Sequence, residues 1–301
     1  MIVRDQPSAL RLFFVVQGSV LPSILGKVLA VSALSILVLI VDRYVVTLLH
    51  VSFSAMSVFG IALSLFLGFR NNAAYERWWE ARKLWGSIIA DVRNLGRVAT
   101  IFVGSPLERE RLLNLGVVFA HLHRGWLRGS AVTDEIAGWL EADVAQRLSA
   151  TQNPADAALR DVAEHVGALH RQGAISDFGQ IAFSKVLASL GSAQASCERI
   201  ATTPLPFVYS LLVRRTTYIY CLLLPFALIE TTGWLTPLFA AIVAYVFFGL
   251  QTVTNELERP FLPAQNGLPL DAMCRAIEIS VAEATGREPP APLVAVNHVL
   301  N

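Results

Sequence analysis

The chain has 301 residues, of which 54% are hydrophobic and only 16% charged. Soluble domains carry about 25% charged residues, so a large part of this chain is not built to face water. A net charge of +1 with no run of Lys or Arg excludes a nucleic-acid binder. Three scattered cysteines, Cys197, Cys221 and Cys274, exclude a disulfide framework and fit a reducing, cytosol-facing location.

In chain order, Arg4, Asp5 and Arg11 precede a short amphipathic stretch, and the long apolar run starts later. A secretory leader would follow its basic residues with one short apolar stretch and a small-residue cleavage site. Residues 5–18 therefore read as a retained interfacial helix or arm. Residues 19–41 carry one charge, Lys27, and residues 44–69 carry no Asp, Glu, Lys or Arg. A membrane span needs about 20 apolar residues. The first 75 residues thus predict two spanning helices with a turn within 43–53, the second helix running over 53–75.

Residues 76–203 change character. Apolar residues recur there at helical spacing, broken at Gly104-Ser105-Pro106 and again at Thr151-Gln152-Asn153-Pro154. No strand alternation or internal repeat is present, so this is a helical, cytosol-facing region. Residues 204–258 predict a second membrane pair: 216–229 and 231–255 are uncharged, and the Gly233-Trp234 and Thr236-Pro237 region breaks them. Pro225 falls inside the third apolar run, where a helix bundle tolerates it. Residues 259–301 form a Pro-rich tail that begins an extended segment near Pro289.

One such run could be a buried helix of a soluble core. Two pairs at opposite ends make the chain an all-α membrane protein with four transmembrane helices. Arg4, Arg11, Arg70, Arg77, Arg82, Lys83, Arg214, Arg215 and Arg259 all mark one side. The excess of positive charge on the cytoplasmic side puts both termini and the central region in the cytosol, with the hairpins outside.

The second apolar run is the most informative. Ile61, Leu65 and Phe69 fall at i, i+4, i+8 and form one stripe. Gly60, Ala62, Ser64 and Gly68 around them allow close helix packing in a membrane. Several copies around an axis could line a narrow pore that gates by dewetting; a lipid-facing or core stripe has the same spacing. Arg70, Asn71 and Asn72 follow abruptly. They fit a wet vestibule wall, or a helix that leaves the membrane at that point. Glu230, Glu256 and Glu258 end the third and fourth runs and read as boundary charges. His121 and His123, at i, i+2, point to different faces and are poor co-ligands for a metal. Glu164, His165 and His170 read as solvated helix faces. No phosphate-binding loop, zinc-protease motif or nucleophile elbow occurs, so no catalytic residue, metal or cofactor is expected.

The stretch LSLFLGFRNNAAYERWWEARKLWG, followed by CERIATTPLPFVYSLLVRRTTYIYCLLLPFAL and NELERPF, resembles the bestrophins, in their bacterial branch, over roughly residues 1–285. The resemblance implies a homopentamer with four membrane helices per subunit, in the bacterial inner membrane, around one axial pore for monovalent ions. It implies a hydrophobic neck at Ile61, Leu65 and Phe69. It implies a cytosolic aperture in ISDFGQIAF, with Phe178 first and Ile181 one turn on as the fallback. Bacterial members of the family favour monovalent cations and animal members conduct anions. Leu65 stands where animal proteins tend to carry an aromatic, which leans towards cations such as sodium, with a chloride channel of the same architecture as the alternative. Asp177 beside the aperture is either a carboxylate ring that attracts cations or a helix N-cap. In animal bestrophins an acidic run after the NELERPF-like motif holds calcium. Here LPAQNGLPLDAM carries one acid, Asp271, so no calcium site is expected. A secondary transporter would show inverted repeats and mid-membrane charges, and a membrane-anchored signalling protein or enzyme would show a catalytic cluster; neither pattern is present.

Overall fold

The computed structural model describes residues 1–3 and 18–300, so the expected interfacial arm over 5–18, apart from Gly18, lies outside the described residues. Among the described residues there are helices and isolated bridges but no strand. Two compact units form. One comprises Arg4–Trp78 and Pro204–Arg259, the other Met1–Val3, Trp79–Thr203 and Pro260–Asn301.

The first unit holds α1 (Leu21–Tyr44), the N-terminal half of α2 (Phe53–Phe102), and two helices from the second apolar block. For consistent numbering, the intervening helices are α3 (Pro106–Arg128), α4 (Thr133–Ile136), α5 (Ala142–Ser149), α6 (Pro154–Arg171) and α7 (Asp177–Thr202). The second block then gives α8 (Phe207–Thr232) and α9 (Thr236–Leu257), and α10 (Leu270–Ala284) follows. Among the described residues, three stretches are long and apolar enough to cross a membrane: Leu21–Tyr44, Phe53–Phe102 and Phe207–Leu257. The third is broken by a 3₁₀ turn at Gly233–Leu235 into helices of 26 and 22 residues. At 1.5 Å per residue the 24 residues of α1 reach about 36 Å, against a hydrocarbon core of about 30 Å. Pro22 and Pro237 sit in first turns, where a missing N–H costs nothing. Gly233 ends α8 at φ +51°, a left-handed conformation open to glycine.

The interior of this unit is Ile24, Val31, Met56, Leu63, Leu67, Leu224 and Phe248 with Tyr220, and the packing is close. At Gly60 an added Cβ would stand 2.7 Å from the Tyr220 hydroxyl. Tyr220 is itself held edge-on by Phe59 and Phe247. Many large apolar side chains, including Leu29, Leu37, Val58, Leu212 and Leu238, point out of the unit. Such an outside suits lipid, where only helices and closed barrels satisfy the backbone.

The connection 45–52 is pinned. The Leu48 amide donates to Asp42 Oδ1 at 2.8 Å, and the Val51 amide donates to the Phe226 carbonyl at 3.2 Å. The His50 ring lies between two carboxylates, with Nε2 3.0 Å from Asp42 and Nδ1 3.4 Å from Glu230. Glu230 is thus part of this clamp and more than a boundary charge.

The other unit folds around Leu95, Leu112, Val162, Val166, Leu169 and Phe183. The turn signals become caps. Ser105 Oγ accepts from the Glu108 amide and Asn153 Oδ1 from the Asp156 amide, each followed by Pro at the first helical position. Buried charges are paired. Arg124 reaches Asp271 at 2.7 Å and Glu135 at 2.6 Å, and Arg128 takes the other Asp271 oxygen at 2.8 Å. The one acid of the post-α9 segment is therefore committed to two guanidinium groups. His121 and His123 are both buried. His121 meets Glu278 at 2.6 Å, whereas His123 stacks between Trp85 and Phe119, and burial pushes its pKa down to about 3. His165 differs from the solvated face expected for it: it is largely buried 2.6 Å from Glu108, and desolvation lowers its pKa. The tail from Pro289 is non-helical as expected, and residues 296–300 turn back to pair with Met1–Val3.

Candidate ion-conduction site

The site is built on α2. Its buried positions run Met56, Gly60, Leu63, Leu67, Arg70, Ala74, Ala81, Trp85, Ile88, Val92, Leu95, Gly96 and Ala99. Apart from the two-turn step from Ala74 to Ala81 and the adjacent Gly96, the steps alternate three and four residues, a 3.5-residue repeat that keeps one seam inward. The opposite face is then fixed. Ile61, Leu65 and Phe69 are 71%, 56% and 58% exposed, and no charge interrupts them. Asn72 continues the exposed face one turn later.

Arg70, Asn71 and Asn72 do not act as a group. Arg70, expected as a candidate vestibule or selectivity residue, is 2% exposed and turned into the unit. Its Nη2 donates to Asn255 at 2.9 Å and to Glu258 at 3.0 Å, while Nε and Nη1 have no acceptor among the described residues. Burial excludes it from contact with ions in a wet vestibule. The reason is the seam repeat, which puts position 70 on the same side as Leu67 and Ala74. Arg77 adds a bond from Nε to the Glu258 carbonyl at 2.8 Å. Two cations thus fasten α2 to the C-terminal end of α9, the end whose dipole favours positive charge. Glu258, expected as a boundary charge, is the anionic partner. Asn71 Oδ1 accepts from the Thr254 hydroxyl at 3.4 Å, and only Asn72 of the three faces outward.

The expected aperture lies at the start of α7. Ser176, not Asp177, is the N-cap, its Oγ accepting from the Gly179 amide at 3.3 Å. Asp177 is the first helical residue, its carboxylate 87% exposed and 2.7 Å from His170 Nε2. Phe178 and Ile181 are 78% and 52% exposed. Gly179 between them packs on Phe102, with a Cβ there only 3.1 Å from that ring, which turns Phe178 away from the core. The partners of Arg70 lie 185 and 188 residues along the chain. No local spacing signals such a pair; the only sequence hint is an arginine amid apolar residues with acids at the end of another apolar run.

Helices of membrane-crossing length and an unbroken outward apolar stripe mark a membrane protein. The comparisons agree. Residues 1–283 match the family described as bacterial and fungal bestrophin protein. A voltage-dependent anion channel-forming protein of Mesorhizobium japonicum is 45% identical over 98% of this chain and 96% of its own length. The Escherichia coli K12 protein of the same description is 38% identical over 99% of both chains. The crystal structure of a bacterial bestrophin homolog from Klebsiella pneumoniae matches with a TM-score of 0.85 at 33% identity, covering 88% of this chain and 100% of that one. The chain belongs to the bacterial bestrophin family. It is a bestrophin-type ion channel and not an enzyme.

Proposed function

We propose that five copies of the chain surround one axial pore in a bacterial inner membrane, with both termini cytosolic, and pass monovalent ions down their gradients. The observation that carries this is the outward face of α2, apolar from Ile61 through Phe69 with the seam behind it fully packed. A ring of such side chains makes a neck that conducts only when wetted. Four spans per subunit follow from α1, α2, α8 and α9. Phe178, with Ile181 one turn on, forms a second constriction, and Asn72 lines the wet end of the neck.

Two readings of the ion rest on different observations. The relatives' descriptions as anion channel-forming proteins favour chloride. The exposed Asp177 carboxylate beside Phe178 favours sodium, because a ring of carboxylates concentrates cations. Purified protein in liposomes under an asymmetric sodium chloride gradient separates them: the sign of the reversal potential names the ion. Asp177→Asn shifts that potential towards anions under the sodium reading and leaves it fixed under the chloride reading. Absence of any current from a correctly assembled oligomer would end the channel proposal.

A further inference from the structure

Lys27 is the one charged residue of residues 19–41, and it lies inside a membrane-length helix, about 9 Å beyond the start of α1. Its ammonium stands 5.4 Å from the centre of the Phe248 ring and 6.0 Å from that of Tyr218. No described residue offers it an anionic or carbonyl acceptor. Arg214 and Arg215 are in the same condition: both are exposed on α8, both lack a partner among the described residues, and both sit one turn before Tyr218. Arg214 lies about 10 Å into α8, a depth matching that of Lys27 in α1.

A Lys or Arg without a counter-charge is costly inside a bilayer. Long side chains reduce this by reaching towards the headgroups, and an aromatic face returns part of it. Neither supplies an oxygen to the three ammonium protons or to the guanidinium forks. One turn deeper on α8, Ile219 and Leu222 are exposed and apolar. The patch therefore combines three unpaired cations, a half-exposed phenol and an apolar strip running away from them.

We infer that Lys27, Arg214, Arg215 and Tyr218 bind the phosphate of an anionic phospholipid, with an acyl chain lying along Ile219 and Leu222. The apolar strip is what selects a lipid over free phosphate. The inference rests on the chain being embedded in a bilayer, not on which ion it conducts or on how many subunits surround the pore.

Native mass spectrometry of the full-length oligomer in mild detergent, titrated with phosphatidylglycerol or phosphatidylcholine, tests it. The parent is expected to retain phosphatidylglycerol at least several-fold more tightly than phosphatidylcholine. Lys27→Met should weaken phosphatidylglycerol about tenfold, which corresponds to about 1.4 kcal/mol. If Lys27→Met fails to assemble, the exposed Arg214→Gln/Arg215→Gln pair carries the same test. Equal retention of both lipids would overturn the inference. So would unchanged phosphatidylglycerol binding in the variants, or displacement of the lipid by millimolar inorganic phosphate. Loss of oligomer in Lys27→Met with lipid binding intact in the arginine pair would assign the lysine to a second copy of the chain and also overturn it.

Discussion

In the unit of Arg4–Trp78 and Pro204–Arg259, large apolar side chains such as Leu29, Leu37, Ile61 and Leu238 point outward. In the unit built on Trp79–Thr203, Leu95, Leu112, Ile136 and Phe183 point inward, although Ile101, Leu107, Phe178 and Ile181 are exposed. The same chain thus solves two solvent problems. In water, burying apolar surface drives assembly at about 25 cal/mol per Å². In lipid that drive between helices is absent, and packing, small residues and interhelical polar bonds hold the bundle. The membrane unit shows that substitution of means: a contact at Gly60 against Tyr220 too close for a methyl group, and Arg70 bound to Asn255 and Glu258.

The largest expected effect comes from breaking the polar bond. Arg70→Met leaves Glu258 without its cation, and removing one partner of a buried pair costs about 3–5 kcal/mol. Thermal unfolding in detergent should fall steeply, and Arg70→Met/Glu258→Met should recover part of the loss. If the double variant is no more stable than the single one, the pair is not the fastening. Next, Phe183→Ala in the water-facing unit should cost about 3–5 kcal/mol. Phe248→Ala in the membrane unit should cost less, because the transfer contribution is missing when lipid replaces water. Equal losses by denaturant or thermal unfolding would show that the two interiors are held alike.

A smaller effect belongs to His50. Each of its nitrogens faces a carboxylate, and a neutral ring has only one N–H to give. The Asp42 hydrogen bond raises the His50 pKa above its usual value, with the Asp42 and Glu230 charges adding to it and partial desolvation opposing. The clamp's contribution is therefore complete below the unfolded pKa of about 6.5 and is lost as pH rises through the raised folded value. Hydrogen–deuterium exchange across residues 45–52 should speed up over that window in the parent and be fast throughout in His50→Gln. A parent whose exchange shows no excess change with pH over the intrinsic rate would remove the clamp. The smallest effect on stability is expected at Leu65→Ala, within about 0.5 kcal/mol for an exposed position, while single-channel conductance or open probability rises. Unchanged conduction would take Leu65 out of the neck.

Much of this was readable in the linear chain. The uncharged runs gave α1, α2, α8 and α9, and the Ser-Pro and Asn-Pro pairs gave the starts of α3 and α6, because those signals are local. The spacing of Ile61, Leu65 and Phe69 gave one stripe but not the side it faces; that depends on the seam from Met56 to Ala99, which only packing reveals. The sequence leaves Arg70 open between a vestibule wall and a helix end, because its partners arrive from the end of α9. His165 was misread as solvated because Glu108 comes from α3, and the meeting of Met1 with Leu300 spans nearly the whole chain.

The contact at Gly60 has a consequence for the proposed neck. Gly60 backs onto the Tyr220 hydroxyl one residue before Ile61, on the reverse side of the same helix turn. In the proposed axial pore, a group added at Gly60 would force Tyr220 or α2 to shift, and a shift of α2 would move Ile61 relative to its symmetry mates. In that arrangement a change at Gly60 would act as a set-screw on a passage it never touches.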